Sequence, residues 1–266
     1  MYSSFANRAW CSQLSLSTFP VSNMSIRLSS SLAIFLLSLF LVPLSPAQPP
    51  KDITLTVAAA ADLSAAEPAL SAGFEKTNPT VKVRFVTGAS TSLAQQIQAG
   101  APFDIFLSAN IDLVDKLHLD SPRTYTVGHI AILWKDGKSH PLSDLTNPEV
   151  RFVAMANPKL APYGLAAQQA LQGSDLWNKV QPKIVYAENV RQTLQLFDSG
   201  NADAVLTALS LVIDRHPQIV PSEIIQKGGI VPATKNHEVA QAFLNWLISP
   251  PAQQILTRYG FDKPSN

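Results

Sequence analysis

The stretch Val81-Lys-Val-Arg-Phe-Val-Thr-Gly-Ala-Ser-Thr-Ser-Leu-Ala-Gln-Gln-Ile-Gln-Ala-Gly100 changes its period in the middle. Val81–Val86 alternates apolar and polar residues, the pattern of a half-buried strand. Leu93–Ala99 instead spaces Leu93 and Ile97 four apart, which predicts a short helix that Gly100 can end. Between them, Thr87–Ser92 is a turn of small and hydroxyl-bearing residues. The unit is strand, small turn, helix.

The same unit recurs on both sides. Ile53–Val57 alternates and runs through Ala58–Ala61 toward a helix whose apolar stripe is Leu63, Leu70 and Phe74. Ser64-Ala-Ala-Glu67 reads as a capping box, with Pro68 tolerable in the first helical turn. Asp104–Ser108 reads as a strand, and another helix starts over Leu113–Leu117. This order implies a parallel sheet covered on both faces. A boundary falls near Tyr125–Gly128, after which the pattern restarts. Strands are expected at Ile130–Trp134, Val150–Met155, Ile184–Tyr186 and Ala202–Leu206, with helices at Tyr163–Gln172 and Val190–Asp198. Pro217, Pro221, Gly228, Gly229 and Pro232 mark a second boundary before a helical tail, His237–Ile248 and Pro251–Tyr259. The simplest account is an α/β fold of two lobes: 48–126 with 230–266, and 127–229. Two extended crossings join them, and the cleft between is the default place for a ligand.

Composition narrows the function. The 266 residues carry 20 Lys+Arg against 19 Asp+Glu, and charged residues are only 15 %, below the ~25 % typical of globular chains. A near-neutral chain without a long basic run argues against nucleic acid as a partner. The single cysteine, Cys11, excludes a disulfide framework and any cysteine-based metal site.

The first 47 residues hold no acidic residue and only Arg8 and Arg27 as basic ones. Leu32-Ala-Ile-Phe-Leu-Leu-Ser-Leu-Phe-Leu-Val42 is too short to cross a bilayer core, which needs about 20 helical residues. It suits the apolar stretch of a secretory signal, and Ser45-Pro-Ala47 supplies small residues for a cut after Ala47. Met24 would start a signal of ordinary length, leaving 1–23 as a candidate overlong start. No cysteine at the cut offers a lipid anchor. An uncleaved amphipathic or anchoring segment is the alternative. The chain after the cut has 219 residues, 18 basic and 19 acidic, and no cysteine. The expectation is an exported soluble protein.

Three strand-to-helix turns suggest binding rather than bond-breaking. Helix N-termini present free N–H groups and a partial positive charge, so they attract anions without Lys or Arg. Small residues let a guest approach the main chain. Gly88-Ala-Ser-Thr-Ser92, Ala161-Pro-Tyr-Gly164 and Ala187-Glu-Asn-Val190 all qualify, and none contains a Lys or Arg. Each alone can equally be an ordinary cap or rigid turn.

Several runs together carry a family likeness. They are Val57-Ala-Ala-Ala-Ala-Asp-Leu63, Gly88-Ala-Ser-Thr-Ser-Leu-Ala-Gln-Gln-Ile97 and Gly100-Ala-Pro-Phe-Asp-Ile-Phe-Leu-Ser-Ala109. Asn157-Pro-Lys-Leu-Ala-Pro-Tyr-Gly164, Ala187-Glu-Asn-Val190, Gly200-Asn-Ala-Asp203 and Arg258-Tyr-Gly-Phe261 complete them. Over nearly all of 52–262 the chain resembles the molybdate-binding periplasmic proteins of ABC transporters, with the type II periplasmic binding fold. The resemblance implies a monomer in the periplasm that captures molybdate, and tungstate with it, for a permease in the inner membrane. No cofactor is implied, and molybdenum would be bound as its oxyanion rather than by direct protein ligands. Contacts are implied from Ser90, from the main chain and hydroxyl of Tyr163, and from the Val190 amide.

Two positions depart from the common pattern of that family. Asp62 stands where many relatives have a ligand-binding Ser. A carboxylate facing a dianion is repelled, so Asp62 is expected to offer only its N–H and turn its side chain away to cap the helix. Ala208 stands where many have a Tyr donor, and the Tyr163 hydroxyl is expected to replace it.

An all-donor pocket suits an oxyanion that is fully deprotonated at neutral pH, whereas the proton of phosphate would lack an acceptor. Sulfate, thiosulfate or another small solute is the alternative ligand. A secreted hydrolase would use Ser90 or Ser108 with one of His118, His129, His140, His216 and His237, but no Gly-x-Ser-x-Gly elbow is present. Ferric or zinc capture lacks a His-x-x-x-His pair. A transcription regulator's sensing half is opposed by the apolar N-terminal run.

Overall fold

The computed structural model describes residues 52–264. The secretory segment 1–47, its start at 1 or 24 and the cut after Ala47 lie outside the described residues. Among those described, no helix is long and apolar enough to cross a membrane.

The chain begins with β1 (Ile53–Ala60), a 3₁₀ turn (Ala61–Ala65), α1 (Glu67–Glu75), β2 (Val81–Gly88), α2 (Ser90–Gln98), β3 (Ile105–Ser108) and α3 (Ile111–Lys116). A 15-residue strand, β4 (Asp120–Trp134), leads into β5 (Val153–Ala156), α4 (Pro162–Gly173), α5 (Trp177–Val180), β6 (Ile184–Ala187), α6 (Val190–Asp198) and β7 (Ala204–Ala208). The long strand β8 (Gln218–Ile230) returns, and α7 (His237–Leu247) and α8 (Pro250–Arg258) close the chain. Strand–turn–helix over 81–100 forms as the period change dictates, and Gly100 takes the left-handed conformation (φ +84°) that ends α2.

One eight-stranded sheet runs in the order β2-β1-β3-β8-β4-β7-β5-β6. It is mixed, not parallel as expected. β1 is parallel to β2 and β3, and β5 to β6 and β7. In the middle, β3–β8, β8–β4 and β4–β7 are antiparallel. The reason is the connection itself: β4 and β8 are passes of the chain in opposite directions, and neighbours of that kind pair antiparallel.

The stretches read as boundaries, 125–128 and 217–232, therefore lie largely inside strands. Pro221 is accommodated by a bulge. Ile130 pairs with Val220 and Gly128 with Ile224, so Pro221, Ser222 and Glu223 stand opposite His129 alone. Ser222 fills the gap: its Oγ accepts from the Ile130 N–H at 2.8 Å and its carbonyl bonds the His129 ring at 2.7 Å. Gly228 and Gly229 permit close packing, since a Cβ there would fall 2.5 Å from Leu107 and 2.6 Å from Leu119.

Apolar side chains collect in separate groups. Leu55, Leu70, Phe74, Ile105 and Phe243 form one where α1 and α7 pack near β1–β3, with Phe74 and Phe243 edge to face at 5.1 Å. Ile132, Met155, Ala167, Leu171 and Leu206 form another beside α4, and this group reaches Ala60, Ala61 and Ala109 at the ends of β1 and β3. The capping box does not form. Ser64 lies in the 3₁₀ turn and donates to the Ala61 carbonyl at 2.8 Å, so α1 begins behind Ala66 with Pro68 in its first turn.

Candidate functional site

Four backbone turns end at one place. Ala60 precedes the 3₁₀ turn, Ala89 precedes α2 and Ala161 precedes α4, and none of them caps with its side chain. Asn189 precedes α6, and its Oδ1 accepts from the Arg191 and Gln192 N–H groups, which leaves the Val190 N–H. First-turn N–H groups have no partner within their own helix. A small cavity lies among these turns, and Asp62, Ser90, Tyr163, Asn189 and Val190 all line it. Alanines at 60, 61, 89, 109 and 161 keep its wall low. Gly164 is required for another reason: a Cβ there would sit 2.2 Å from the Ala156 carbonyl oxygen, so α4 starts pressed against the end of β5.

The four residues singled out from the sequence are thus brought together. Ser90 is buried, and its Oγ accepts from the Ala109 N–H at 3.3 Å, which leaves its own proton free to donate. No Lys or Arg is among the lining residues. The first-turn N–H of Thr91 is taken up by the Leu160 carbonyl at 3.2 Å.

Asp62 and Tyr163 correct the sequence reading. The Asp62 side chain does not turn away to cap a helix. It is fully buried, and its Oδ2 accepts from the Tyr163 hydroxyl at 2.9 Å and from Gln226 Nε2 at 2.5 Å. Its main-chain carbonyl accepts from Ser210 Oγ at 2.7 Å. The Tyr163 hydroxyl is therefore spent on a carboxylate rather than replacing the donor that Ala208 lacks. Gln226 also donates to the Tyr163 oxygen at 3.2 Å, and the Tyr125 hydroxyl donates to Gln226 Oε1 at 2.6 Å. Gly128 makes room, because a Cβ there would lie 1.9 Å from the Tyr163 oxygen.

Removal from water dominates the electrostatics. Burial pushes the Asp62 pKa from 3.8 up to about 6, opposed by the donors Gln226 and Tyr163 and by the nearby N–H groups of Asp62 and Leu63. Burial, then the Asp62 charge, holds both Tyr163 and Tyr125 well above the ordinary tyrosine value. Oδ1 of Asp62 is buried without a hydrogen-bond partner.

Sequence reasoning missed Gln226 and Tyr125. A signal for Gln226 existed: it shares the period-two phase of Ile224 and Gly228, which are both buried. The serines proposed for a hydrolase find no base. Ser108 Oγ donates to the Asn110 carbonyl, and neither it nor Ser90 is bonded to a histidine among the described residues. No group of three or more His, Cys, Asp or Glu able to hold a metal occurs among the described residues.

An α/β fold on two long crossing strands, with helix N-termini converging on a small cavity, defines a binding protein for small solutes. The family described as bacterial extracellular solute-binding protein matches residues 55–262, and this chain belongs to it. A putative ABC transporter substrate-binding lipoprotein, YvgL of Bacillus subtilis (strain 168), is 32 % identical over 227 residues, 79 % of this chain and 87 % of the relative. The molybdate-binding protein ModA of Rhodobacter capsulatus is 31 % identical over 223 residues, 77 % of this chain and 87 % of that one. Among solved structures, the Azotobacter vinelandii periplasmic molybdate-binding protein superposes with a TM-score of 0.71 at 29 % identity, covering 79 % of this chain and all of that one. The family is one of binding proteins and not a class of enzymes.

Proposed function

We propose that this chain is the periplasmic solute-binding component of an ABC importer and that it captures molybdate, with tungstate, for a membrane permease. The observation that carries this reading is the convergence of uncapped N–H groups and the Ser90 hydroxyl on a cavity with no cationic side chain in its lining. Dipoles so placed match an oxyanion whose oxygens only accept. Ser90 contributes its O–H, and Tyr163, Val190 and Asp62 contribute main-chain N–H groups. The two lobes are 48–126 with 230–266, and 127–229, and the protein works as a monomer. A guest shared by both lobes favours their closed arrangement, which the permease reads.

The identity of the relatives named for molybdate supports this ligand over sulfate or thiosulfate. The test is a thermal-shift panel of molybdate, tungstate, sulfate, phosphate and thiosulfate on the 48–266 protein. A ligand at 100 times its dissociation constant stabilises the folded state by about 2.7 kcal/mol. Selective stabilisation by molybdate and tungstate is the expected result, and an equal or larger response to sulfate or thiosulfate overturns it.

A further inference from the structure

Asp62 is an unusual wall for an anion site. It is wholly buried, it lines the cavity, and one of its two oxygens has no hydrogen-bond partner. The other oxygen already receives two donors, the Tyr163 hydroxyl and the Gln226 amide. A proton added to this carboxyl therefore belongs on Oδ1, where it displaces no existing bond and turns an acceptor into a donor. Guests that only accept hydrogen bonds need that conversion, because a bare carboxylate beside a dianion in a site without water is repelled.

We propose that Asp62 is itself a side-chain ligand of the oxyanion in its protonated form, donating from Oδ1, so that capture of one doubly charged guest takes one proton from solution. This rests on the oxyanion reading above. The proton moves from buffer to Oδ1, and the guest keeps both charges. Burial already raises the Asp62 pKa to about 6, and the guest must lift it well above the working pH for the carboxyl to stay protonated in the complex.

The surrounding ionisable groups leave this role to Asp62. From α4 and β4 it faces Tyr163 and Tyr125, both held neutral by burial and by the Asp62 charge. On the helices packed against its turn, Arg191 of α6 acts on Glu67 of α1, favouring the Glu67 charge while burial opposes it. On β2, Lys82 pairs with Glu75 at 3.0 Å and Arg84 donates to Thr56 at 3.4 Å. No cation is among the groups that act on the Asp62 carboxyl. Asn at this position mimics the protonated acid: its oxygen can accept from Tyr163 and Gln226 while its NH₂ donates to the guest.

Calorimetric titration of the 48–266 protein with molybdate between pH 6 and 8, in two buffers of different ionisation enthalpy, tests this. Affinity is expected to fall about tenfold per pH unit above 6, with uptake approaching one proton at pH 7.5. Asp62→Asn should bind at pH 8 about as tightly as the parent does at pH 6, with a flat profile and no uptake. Tyr163→Phe, which removes a donor to the charged form, should move the break in the profile to higher pH. A flat profile without proton uptake in the parent overturns the proposal, as does a slope that persists in Asp62→Asn. Tighter binding of phosphate than of molybdate at pH 8 also overturns it, since the carboxylate would then be keeping its charge and accepting. Binding of none of the panel anions at any pH sinks the oxyanion reading itself, and this proposal with it.

Discussion

Asp62 and Asp104 are both buried aspartates near β1, yet their surroundings differ in one respect that separates structure from function. Asp104 is completely engaged. Its Oδ2 accepts from the Thr56 N–H at 2.6 Å, and its Oδ1 from Thr234 at 2.5 Å and Asn236 at 3.1 Å. These bonds tie the middle of β1 to the loop that follows β8. Asp62 engages one oxygen and leaves the other buried without a hydrogen-bond partner. A carboxylate with both oxygens answered is a stitch. One with an unanswered oxygen carries a cost that nothing in the fold alone requires.

Opposite responses to similar substitutions would sharpen this contrast. Asp104→Ala strands three donors, and the expected loss is about 4 kcal/mol, read as a lower urea midpoint at unchanged slope. Asp62→Asn should stabilise the protein without ligand at pH 7, by about 3 kcal/mol, because the folded pKa of about 6 lies above the unfolded 3.8. The folded state disfavours the charged form, so this penalty is absent below about pH 4, builds as pH rises from 3.8 to 6, and is complete at pH 7. A gain that did not shrink between pH 7 and pH 4 would break the comparison.

Smaller effects concern the grip on the guest. Ser90→Ala removes a donor to the guest and the acceptor of the Ala109 N–H, so molybdate affinity should drop about tenfold to thirtyfold by calorimetry. Arg191→Ala tests whether the site works without cations. Its N–H stays capped by Asn189, and affinity should change less than about threefold at 0.15 M salt.

What the sequence revealed follows the range of the interactions. The period change across Val81–Gly100 and the small turns before α2, α4 and α6 are local, and they placed Ser90, Tyr163 and Val190 around one cavity. The crossing strands were harder to read, because Pro221, Gly228 and Gly229 look like linker residues until the bulge at His129 and the contacts with Leu107 and Leu119 explain them. The direction of the Asp62 side chain was the least legible. It depends on Tyr163 and Gln226, 101 and 164 residues away, and the β4–β8 pairing brings Gln226 to the Asp62 carboxylate. A local rule, that an aspartate near a helix start caps it, lost to a long-range one.

Gly128 has a consequence for anyone wishing to use this protein as an instrument. Its missing side chain is the volume that the Tyr163 oxygen fills, against the long strand β4. One methyl group at position 128, itself outside the lining of the cavity, would displace that oxygen and unfasten the Asp62–Tyr163 hydrogen bond. A single carbon atom is thus the smallest wedge that would part Asp62 from Tyr163.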